Sequence, residues 1–309
     1  MSDPSRPSVA VIGSINMDLV VRASHAPEPG ETVLGRDLQT IPGGKGANQA
    51  VAVGRLGLPC WMIGRVGDDE FGQRLLTSLA ASKVEVSHIV VTEGTPTGVA
   101  LIVVDRVGEN AICVASGANY KVTPEDVDAA EEAIANARVC LLQLELPIDT
   151  VVHAIRLCRK HGVETILDPA PAPPNVPDAL FEADLITPNQ SEAEALTHER
   201  TEKVREAKAV AAALVSRGAR KVVLKLGERG ALVFDGERFE QIGPHKIAPV
   251  DTTAAGDAFT GALAVARARG HNLADAARYA NAAGAAACRK FGAQPSMPTP
   301  EDVIELLRS

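Results

Sequence analysis

Short apolar runs typical of buried strands alternate with longer stretches of helical periodicity along most of this 309-residue chain. Two parallel strands need a long crossover connection, usually a helix, so this alternation predicts a doubly wound α/β fold with a mostly parallel sheet. The predicted strands are 9–12, 61–66, 139–144, 164–167, 185–187 and 221–226. The predicted helices are 46–56, 69–81, 124–137, 148–161, a short one from 190, 201–217, 255–269, 273–290 and 300–308. In such sheets, ligands bind beyond the carboxyl ends of the strands.

Two parts of the first 116 residues interrupt this alternation. Short alternating runs lie at 19–22 and 32–39, and two more at 97–104 and 110–115 are separated by a turn at 106–109 with no helix between them. We expect these strands, from about residues 18–40 and 97–116, to form one small β-sheet lid. The lid would be inserted into a single α/β domain that spans residues 1–309.

The composition excludes several classes of partner. Asp and Glu outnumber Lys and Arg by 39 to 31, the net charge is −8, and aromatic residues are only 3%. A nucleic-acid partner is therefore not expected, and an anionic small ligand would need local N–H groups and cations. No segment approaches the roughly 18 uninterrupted apolar residues of a membrane span, and residues 1–8 lack a signal-peptide core.

The cysteines and histidines are scattered along the chain. The five cysteines are Cys60, Cys113, Cys140, Cys158 and Cys288. Their odd number and the absence of a Cys-x-x-Cys pair predict reduced core thiols in a cytoplasmic protein. The seven histidines form no ligand cluster, so a transition-metal site is not expected.

Residues 250–263 carry the clearest chemical signal. Ala254, Ala255 and Gly256 permit a tight turn, and the helical pattern that follows would direct free N–H groups at an anion. Asp257 lies in the first turn, where its carboxylate can accept a proton from a substrate. A second interpretation is that Asp257 only favours the helix dipole and Asp251 only stabilises a turn.

Glycine-rich turns follow the first strand and precede the first predicted helix. Neither contains the Gly-x-Gly-x-x-Gly of a dinucleotide fold or the spacing of a phosphate-binding P-loop, so a nicotinamide cofactor is disfavoured. Gly43 and Gly44 open a helix beside the cation Lys45. The structural alternative is a simple turn with a solvated lysine.

Further polar residues follow other predicted strands. Glu145 comes after the strand at 139–144, and Asn189 and Glu192 have an Asn-x-x-Glu spacing that suits a hydrated Mg²⁺ beside a phosphate. Helix capping by Asn189 and an exposed cap at Glu145 are the structural alternatives. The glycines of 227–230 permit either a hairpin or close contact with a nucleotide.

Taken in order, these segments resemble the family of sugar and nucleoside kinases that contains ribokinase, adenosine kinase and the fructokinases. The resemblance spans nearly the whole chain. It is carried by Gly-Ser-Ile-Asn-Met-Asp at 13–18, Pro-Gly-Glu-Thr at 29–32, Gly-Gly-Lys-Gly-Ala-Asn-Gln-Ala at 43–50, Gly-Asp-Asp at 67–69, Thr-Pro-Asn-Gln-Ser-Glu at 187–192, Asp-Thr-Thr-Ala-Ala-Gly-Asp at 251–257 and Gly-Ala-Gln-Pro-Ser at 292–296. It implies a three-layer α/β/α fold with a small β lid, and ATP-dependent phosphorylation of D-ribose at its 5-hydroxyl. The alternatives are 2-deoxyribose, another furanose or a nucleoside as substrate, or a non-catalytic sugar or nucleotide sensor.

The resemblance also implies roles for individual residues. Asp257 would be the general base, and Ala254, Ala255 and Gly256 would form the anion hole. The sugar would contact Asn16, Asp18, Gly44, Lys45, Gly46, Ala47, Asn48, Glu145 and Asp257. ATP would contact Asn189, Glu192, Lys225, Leu226, Gly227, Glu228, Arg229, Gly230, Gly256 and Asn281. Glu192 would also hold Mg²⁺ through water.

A potassium ion and a homodimer are implied in the same way. The potassium positions would be Asp251, Thr253, Ala287, Lys290, Gly292 and Ser296. Lys290 would have to contribute its carbonyl, because an ammonium cannot ligate a cation. Lys225 departs from the smaller polar residue, such as Thr, expected at its position. The lid would pair with its copy in a homodimer and cover otherwise unpaired strand edges.

Overall fold

The computed structural model describes residues 7–106, 108–173 and 175–308. Its strands are β1 (Val9–Ile12), β2 (Asn16–Arg22), β3 (Leu38–Gly43), β4 (Cys60–Gly67), β5 (Val84–Thr92), β6 (Gly98–Val104), β7 (Asn110–Ala115), β8 (Val139–Leu142), β9 (Glu164–Leu167), β10 (Leu185–Ile186), β11 (Lys221–Lys225), β12 (Ala231–Phe234) and β13 (Phe239–Ile242). Its helices are α1 (Lys45–Arg55), α2 (Glu70–Ala81), α3 (Pro124–Ala129), α4 (Glu131–Ala135), α5 (Ile148–His161), α6 (Gln190–Thr197), α7 (Val204–Ser216), α8 (Ala255–Ala268), α9 (Leu273–Ala287), α10 (Ala293–Ser296) and α11 (Pro300–Arg308).

The larger sheet of the described residues has nine strands in the order β13-β12-β11-β10-β9-β8-β1-β4-β5. Pairing is parallel from β11 to β5, whereas β12 and β13 are antiparallel additions at one edge. Successive residues of β1 face opposite layers. Val9 and Val11 belong to the apolar cluster that includes residues of α1, α8 and α9, while Ala10 and Ile12 belong to the cluster that includes residues of α5 and α7. The predicted three-layer, doubly wound α/β fold is thus confirmed.

The small sheet contains β3, β2, β6 and β7, in that order. It is mixed, because β2 and β6 are parallel while the two outer pairs are antiparallel. The strand predicted at 32–39 is wrong over most of its length: residues 31–37 form no strand, and β3 begins only at Leu38. The hairpin between β6 and β7 is present, although Val107 of its predicted turn lies outside the described residues.

The structure also contains strands that the apolar pattern does not reveal. β5 and β13 lie at the two edges of the large sheet, where one flank is open and polar residues such as Glu85, Ser87 and Glu240 are tolerated. A continuous apolar run predicts only strands that are buried on both faces. The helix predicted at 124–137 is divided at Ala130, and the one predicted at 273–290 ends at Ala287.

The burial of the cysteine side chains agrees with most, but not all, of the prediction that they are core thiols. Cys60, Cys140 and Cys158 are buried, as expected of core thiols. Cys113 is exposed on β7 and Cys288 is half-buried, so the prediction is wrong for Cys113. Among the described residues, none of the helices has the length and hydropathy needed to cross a membrane.

Candidate active site

The order of the strands brings several polar residues to one edge of the large sheet. The chain leaves β1 toward β4 on one side and later returns through β8 and β9 on the other, which makes β1 and β8 the switch point of the sheet. Asn16 lies just beyond β1, Glu145 beyond β8, Asp168 directly after β9, and Lys225 at the end of β11. Helices α1 and α8 begin at the same edge, so the sheet itself assembles the site.

The amino terminus of α8 holds Asp257 in a buried position. Ala254 caps the helix in a left-handed conformation with φ of 58°, and its side chain makes no capping bond. The Asp257 carboxylate is 7% exposed and accepts hydrogen bonds from Asn48 Nδ2 at 2.9 Å and Gln49 Nε2 at 3.2 Å. Side chains of α1 therefore hold Asp257 in place. An aspartate that only interacted with the helix dipole would not need these contacts.

Burial raises the pKa of Asp257 from 3.8 to about 6, with Asp168 adding to the rise while Lys45, Asn48 and Gln49 oppose it. A carboxyl group with a pKa near neutrality is suited to proton transfer. It accepts protons readily and is still ionised at physiological pH.

A cavity of about 260 Å³ lies beside Asp257, lined by polar side chains and by apolar residues of the small sheet. It is lined in part by Asn16, Asp18, Gly44, Lys45, Asn48, Glu145 and Asp257. Glu145 accepts hydrogen bonds at Oε2 from Ser14 Oγ at 2.5 Å and from Asn16 Nδ2 at 3.3 Å, so it does not act as an exposed helix cap. Asn48 Oδ1 is buried and has no hydrogen-bond partner among the residues that the structure describes. The cavity therefore offers both donors and acceptors to a small polyhydroxylated molecule.

Two glycines are needed where the small sheet meets this cavity. A Cβ on Gly43 would lie 2.2 Å from the Asp18 carboxylate, and one on Gly44 would lie 2.6 Å from the Asn16 backbone nitrogen. Gly44 also has a φ of 90°, which residues with a Cβ rarely adopt. Both glycines allow the start of α1 to approach β2 closely.

The charged side chains that line this cavity shift one another's pKa values. Burial raises the pKa of Asp18 to about 7, with Glu145 and Asp257 adding to the rise and Lys45 opposing it. Burial alone would lower the pKa of Lys45, but Asp257, Glu145 and Asp168 raise it to a net value above its usual range. Lys45 is thus a permanent cation among carboxylates, not a solvated lysine.

A second cavity, of about 770 Å³, opens on the other side of Asp257. Asn189 and Glu192 cap α6 reciprocally: Asn189 N donates to Glu192 Oε2 at 2.7 Å, and Glu192 N donates to Asn189 Oδ1 at 2.8 Å. Burial raises the pKa of Glu192, and Lys225 opposes this rise. The capping alternative for Asn189 is therefore present, and both side chains also line the cavity.

Lys225 forms a buried ion pair with Asp168, with 2.8 Å between Nζ and Oδ1. Its Nζ would lie 3.6 Å from a Cβ built on Gly256, so the ammonium is next to the amino terminus of α8. Burial opposes the positive charge, but Asp168 and Glu192 raise the pKa of Lys225. The sequence did not identify Asp168, although it directly follows a predicted strand just as Glu145 follows another.

A third cavity, of about 550 Å³, adjoins the second at Lys225, Gly227 and Gly256. Glu228, Gly230, Phe259 and Asn281 are among its lining residues. The segment from Gly227 to Arg229 is a 3₁₀ turn in the hairpin between β11 and β12.

Not every predicted contact residue lines one of the cavities. Leu226 is buried in the core, and the guanidinium of Arg229 donates to the backbone carbonyls of Thr201 and Glu202. Gly46 and Ala47 are buried in α1. These four residues are adjacent in sequence to residues that line the cavities but do not themselves line any of the three.

The predicted potassium positions are only partly joined by contacts. Asp251 accepts from Thr253 N at 2.9 Å and Thr253 Oγ1 at 2.7 Å through Oδ1, and from Gly292 N at 2.9 Å through Oδ2. Lys290 Nζ donates to Asp302 Oδ2 at 2.9 Å. Ser296 Oγ donates to the Ala293 carbonyl.

Comparison with known proteins identifies the family. The pfkB family of carbohydrate kinases matches residues 6–300. A ribokinase of Bacillus subtilis is 41% identical over 300 residues, which cover 97% of this chain and 99% of the relative. A deoxyribokinase of Salmonella typhi is 34% identical, with coverage of 97% and 98%. The structure of Arabidopsis thaliana ribokinase complexed with ribose and ATP superposes with a TM-score of 0.90 at 33% identity, covering 98% of this chain and 99% of that one. The chain belongs to the pfkB family of carbohydrate kinases.

Proposed function

We propose that this protein transfers the γ-phosphoryl group of ATP to the 5-hydroxyl of D-ribose, giving D-ribose 5-phosphate and ADP. The observation that carries the proposal is the buried Asp257 carboxylate between a small polar cavity and a larger one that extends past Gly256 and Lys225. Relatives named ribokinase and a neighbour bound to ribose and ATP support the choice of substrates.

The small cavity suits a pentose. Ribose hydroxyls would donate to Asp18, Glu145 and the unpaired Asn48 Oδ1, and accept from Asn16 Nδ2 and Lys45 Nζ. A site built from fixed donors and acceptors discriminates strongly against a sugar that lacks one hydroxyl, because a buried polar group is then left unpaired.

Asp257 would act as the general base. It would take the proton of the 5-hydroxyl as that oxygen attacks the γ-phosphorus, so that the new O–P bond forms while the bond to the bridging oxygen of ADP breaks. The N–H group of Gly256, at the amino terminus of α8 beside the Ala254 turn, would stabilise the charge on the transferring oxygens. The Ala255 N–H, also expected in the anion hole, donates to the Thr252 carbonyl at 3.2 Å in this structure. Lys45, which is held among carboxylates, would add a fixed positive charge.

ATP would extend from this point through the two larger cavities. The triphosphate would lie near Asn189, Lys225 and Gly256, and the base and ribose near Gly227, Gly230 and Asn281. Glu192 has lone pairs left after its bonds to Asn189, so it fits a role in holding the water shell of Mg²⁺. Mg²⁺ would neutralise charge on the phosphates.

Potassium, assembly and location are further parts of the proposal. Both carboxylate oxygens of Asp251 hold the loops at 251–253 and 292 together, a framework that backbone carbonyls could complete as a potassium site. Leu101 is 51% exposed and, unlike its neighbours Ala100 and Ile102, does not line the sugar cavity, which favours the outer face of the small sheet as a homodimer interface. The scattered cysteines favour the cytoplasm.

A 2-deoxyribose kinase is the second candidate, because one relative is named deoxyribokinase. Asp18 distinguishes the two: a carboxylate in the sugar cavity is suited to bind vicinal hydroxyls, which favours ribose. The test is a panel of sugars with ATP and Mg²⁺, in K⁺ and again in Na⁺ buffer. We expect kcat/KM for ribose to exceed that for 2-deoxyribose by up to about 10⁴-fold, and K⁺ to activate. Equal values for the two sugars would contradict the ribose assignment, and absence of turnover would favour a sensor.

A further inference from the structure

Asn119 lies in a short 3₁₀ helix, Gly117–Lys121, that follows the small sheet. It is 1% exposed and does not line the sugar cavity. Its Oδ1 accepts from the Ile15 backbone nitrogen at 2.9 Å, and its Nδ2 donates to the Ile15 carbonyl at 3.3 Å and to Asn16 Oδ1 at 2.6 Å. A buried amide thus contacts the segment that carries Asn16 from more than 100 residues away.

These contacts fix the orientation of both amides. The Ile15 N–H can only donate, so the Asn119 atom that faces it must be oxygen, and the other end of Asn119 must be the NH₂ group. The Asn16 atom that faces this NH₂ group must therefore be its oxygen. The Asn16 NH₂ group is then directed to Glu145 Oε2, at 3.3 Å, and toward the sugar cavity.

Close packing keeps the pair in this arrangement. A Cβ on Gly98, the first residue of β6, would lie 2.2 Å from Asn16 Oδ1 and 2.3 Å from Asn119 Nδ2. The 3₁₀ helix is itself tied to the strand, because Ala118 N donates to the Pro96 carbonyl at 2.9 Å. The backbone of β6 therefore covers the two amides.

We infer that Asn119 is a positioning residue of the sugar site, which makes Asn16 present an N–H donor, and not a carbonyl acceptor, to a sugar hydroxyl. One N–H of Asn16 is engaged by Glu145, and the second is available to the sugar. This inference rests on the proposed function, since it assigns to Asn119 a part of sugar recognition.

The Asn119→Asp variant tests it directly. An aspartate at position 119 still accepts the hydrogen bond from Ile15 N, but it places a second oxygen against Asn16 Oδ1. The repulsion between these two oxygens favours rotation of the Asn16 amide. After that rotation, the amide oxygen of Asn16 faces Glu145. We expect KM for ribose to rise about tenfold or more, with KM for ATP changed less than about twofold. Thr150→Val is the matched control: it removes a buried bond to the Val122 carbonyl, at the end of the same 3₁₀ helix, without touching Asn16. Its melting temperature should fall while KM for ribose is unchanged.

A double-mutant cycle separates positioning from a structural role. In an Asn16→Ala background, Asn119→Asp should change KM for ribose by less than about twofold, because its effect passes through Asn16. Independent, additive effects would overturn the inference, as would an unchanged KM for ribose in folded Asn119→Asp. If Asn119→Asp does not fold, Asn119→Ala replaces it in the double-mutant cycle, and we again expect little change in KM for ribose in the Asn16→Ala background. Absence of ribose turnover in the wild-type protein would instead contradict the proposed function, independently of these variants.

Discussion

At the scale of single residues, the site is a set of buried charges held by amides. Asp257 is bonded by Asn48 and Gln49, and Gln49 Nε2 also donates to Asp168 at 3.0 Å. Gln143 Nε2 in turn donates to Gln49 Oε1 at 2.6 Å. The amides leave Asp257 little freedom to rotate, which suits a base that must meet one hydroxyl in one direction.

The pH dependence of turnover follows from the raised pKa of Asp257. Only the ionised carboxylate can accept a proton, and burial places its pKa at about 6. Activity should therefore be retained above that pH and fall as pH decreases through it. Measurement of kcat at saturating ribose and ATP from pH 5 to 8 checks this expectation, because kcat/KM would also report the ionisation of Asp18 in the free enzyme. A flat profile down to pH 5 would argue against Asp257 as the base.

The buried pair of Lys225 and Asp168 gives a prediction of stability. Lys225→Met leaves Asp168, which is 2% exposed, as an unpaired buried charge and should lower the free energy of unfolding by about 3–5 kcal/mol. Adding Asp168→Asn removes the unpaired charge and should restore most of the loss. Urea unfolding of the two variants measures both values. If Lys225→Met is as stable as the wild-type protein, the loss of the Lys225–Asp168 ion pair does not destabilise the fold, and the prediction is wrong.

Measurement of KM for ATP in variants of the same pair distinguishes a purely structural role of Lys225 from a role in binding the phosphates of ATP. In the double variant Asp168→Asn/Lys225→Met, a purely structural Lys225 would leave KM for ATP close to the wild-type value. We expect KM for ATP in the double variant to stay above the wild-type value, because the ammonium next to Gly256 is lost.

At the scale of elements, helix α1 connects the sugar cavity to the core. Glycines with left-handed φ flank it on both sides: Gly44 at 90° and Gly57 at 88°. Only Gly44 faces a backbone atom of the site, at Asn16 N, whereas a Cβ on Gly57 would meet nothing closer than Arg269 Nη2 at 3.9 Å.

The two glycines form a matched pair of variants. Gly57→Ala should lose about 1–2 kcal/mol of unfolding free energy, because it forces a positive φ on a residue with a Cβ. Gly44→Ala should lose more, because its Cβ would also lie 2.6 Å from Asn16 N. Gly44→Ala alone should also raise KM for ribose, since its Cβ displaces the Asn16 segment. Thermal unfolding and ribose kinetics of both variants check this. Equal KM values in the two variants would show that α1 and β2 do not need their close approach.

Elements with strong local patterns were predictable from the sequence, and those set by their neighbours were not. Strands β1 and β9 and helix α5 have the predicted bounds, because their apolar periodicity matches their burial. Strand β7 also has the predicted bounds, although all six of its residues are exposed. β5 was missed because an edge strand carries polar residues. Asp257 and Glu145 were identified as candidates from their places after a turn and a strand. Asn119 and Gln49 were not, because their partners lie 104 and 208 residues away and only the folded chain joins them.

At the scale of the whole molecule, the small sheet has an exposed edge strand and an exposed apolar side chain beside it. All six residues of β7 are exposed, and Leu101 on the neighbouring strand β6 is 51% exposed. Such an edge is a site for pairing with a second copy.

We expect the protein to sediment as a dimer, with about twice the mass of the 32.3 kDa chain. Leu101→Asp should shift it toward the monomer, because a buried unpaired charge would oppose association. Analytical ultracentrifugation measures both proteins. A wild-type protein that is monomeric at all concentrations would contradict the dimer, but not the chemistry of the site.

Asp257 is proposed to remove the proton from a ribose hydroxyl during transfer from ATP. Asp257→Asn preserves size and removes the basic charge, so it isolates this role when turnover and ribose binding are measured on the same preparation. We expect kcat to fall by at least about a hundredfold while ribose binding stays measurable by calorimetry. A variant that binds ribose and retains kcat within about tenfold of the wild-type value would contradict it.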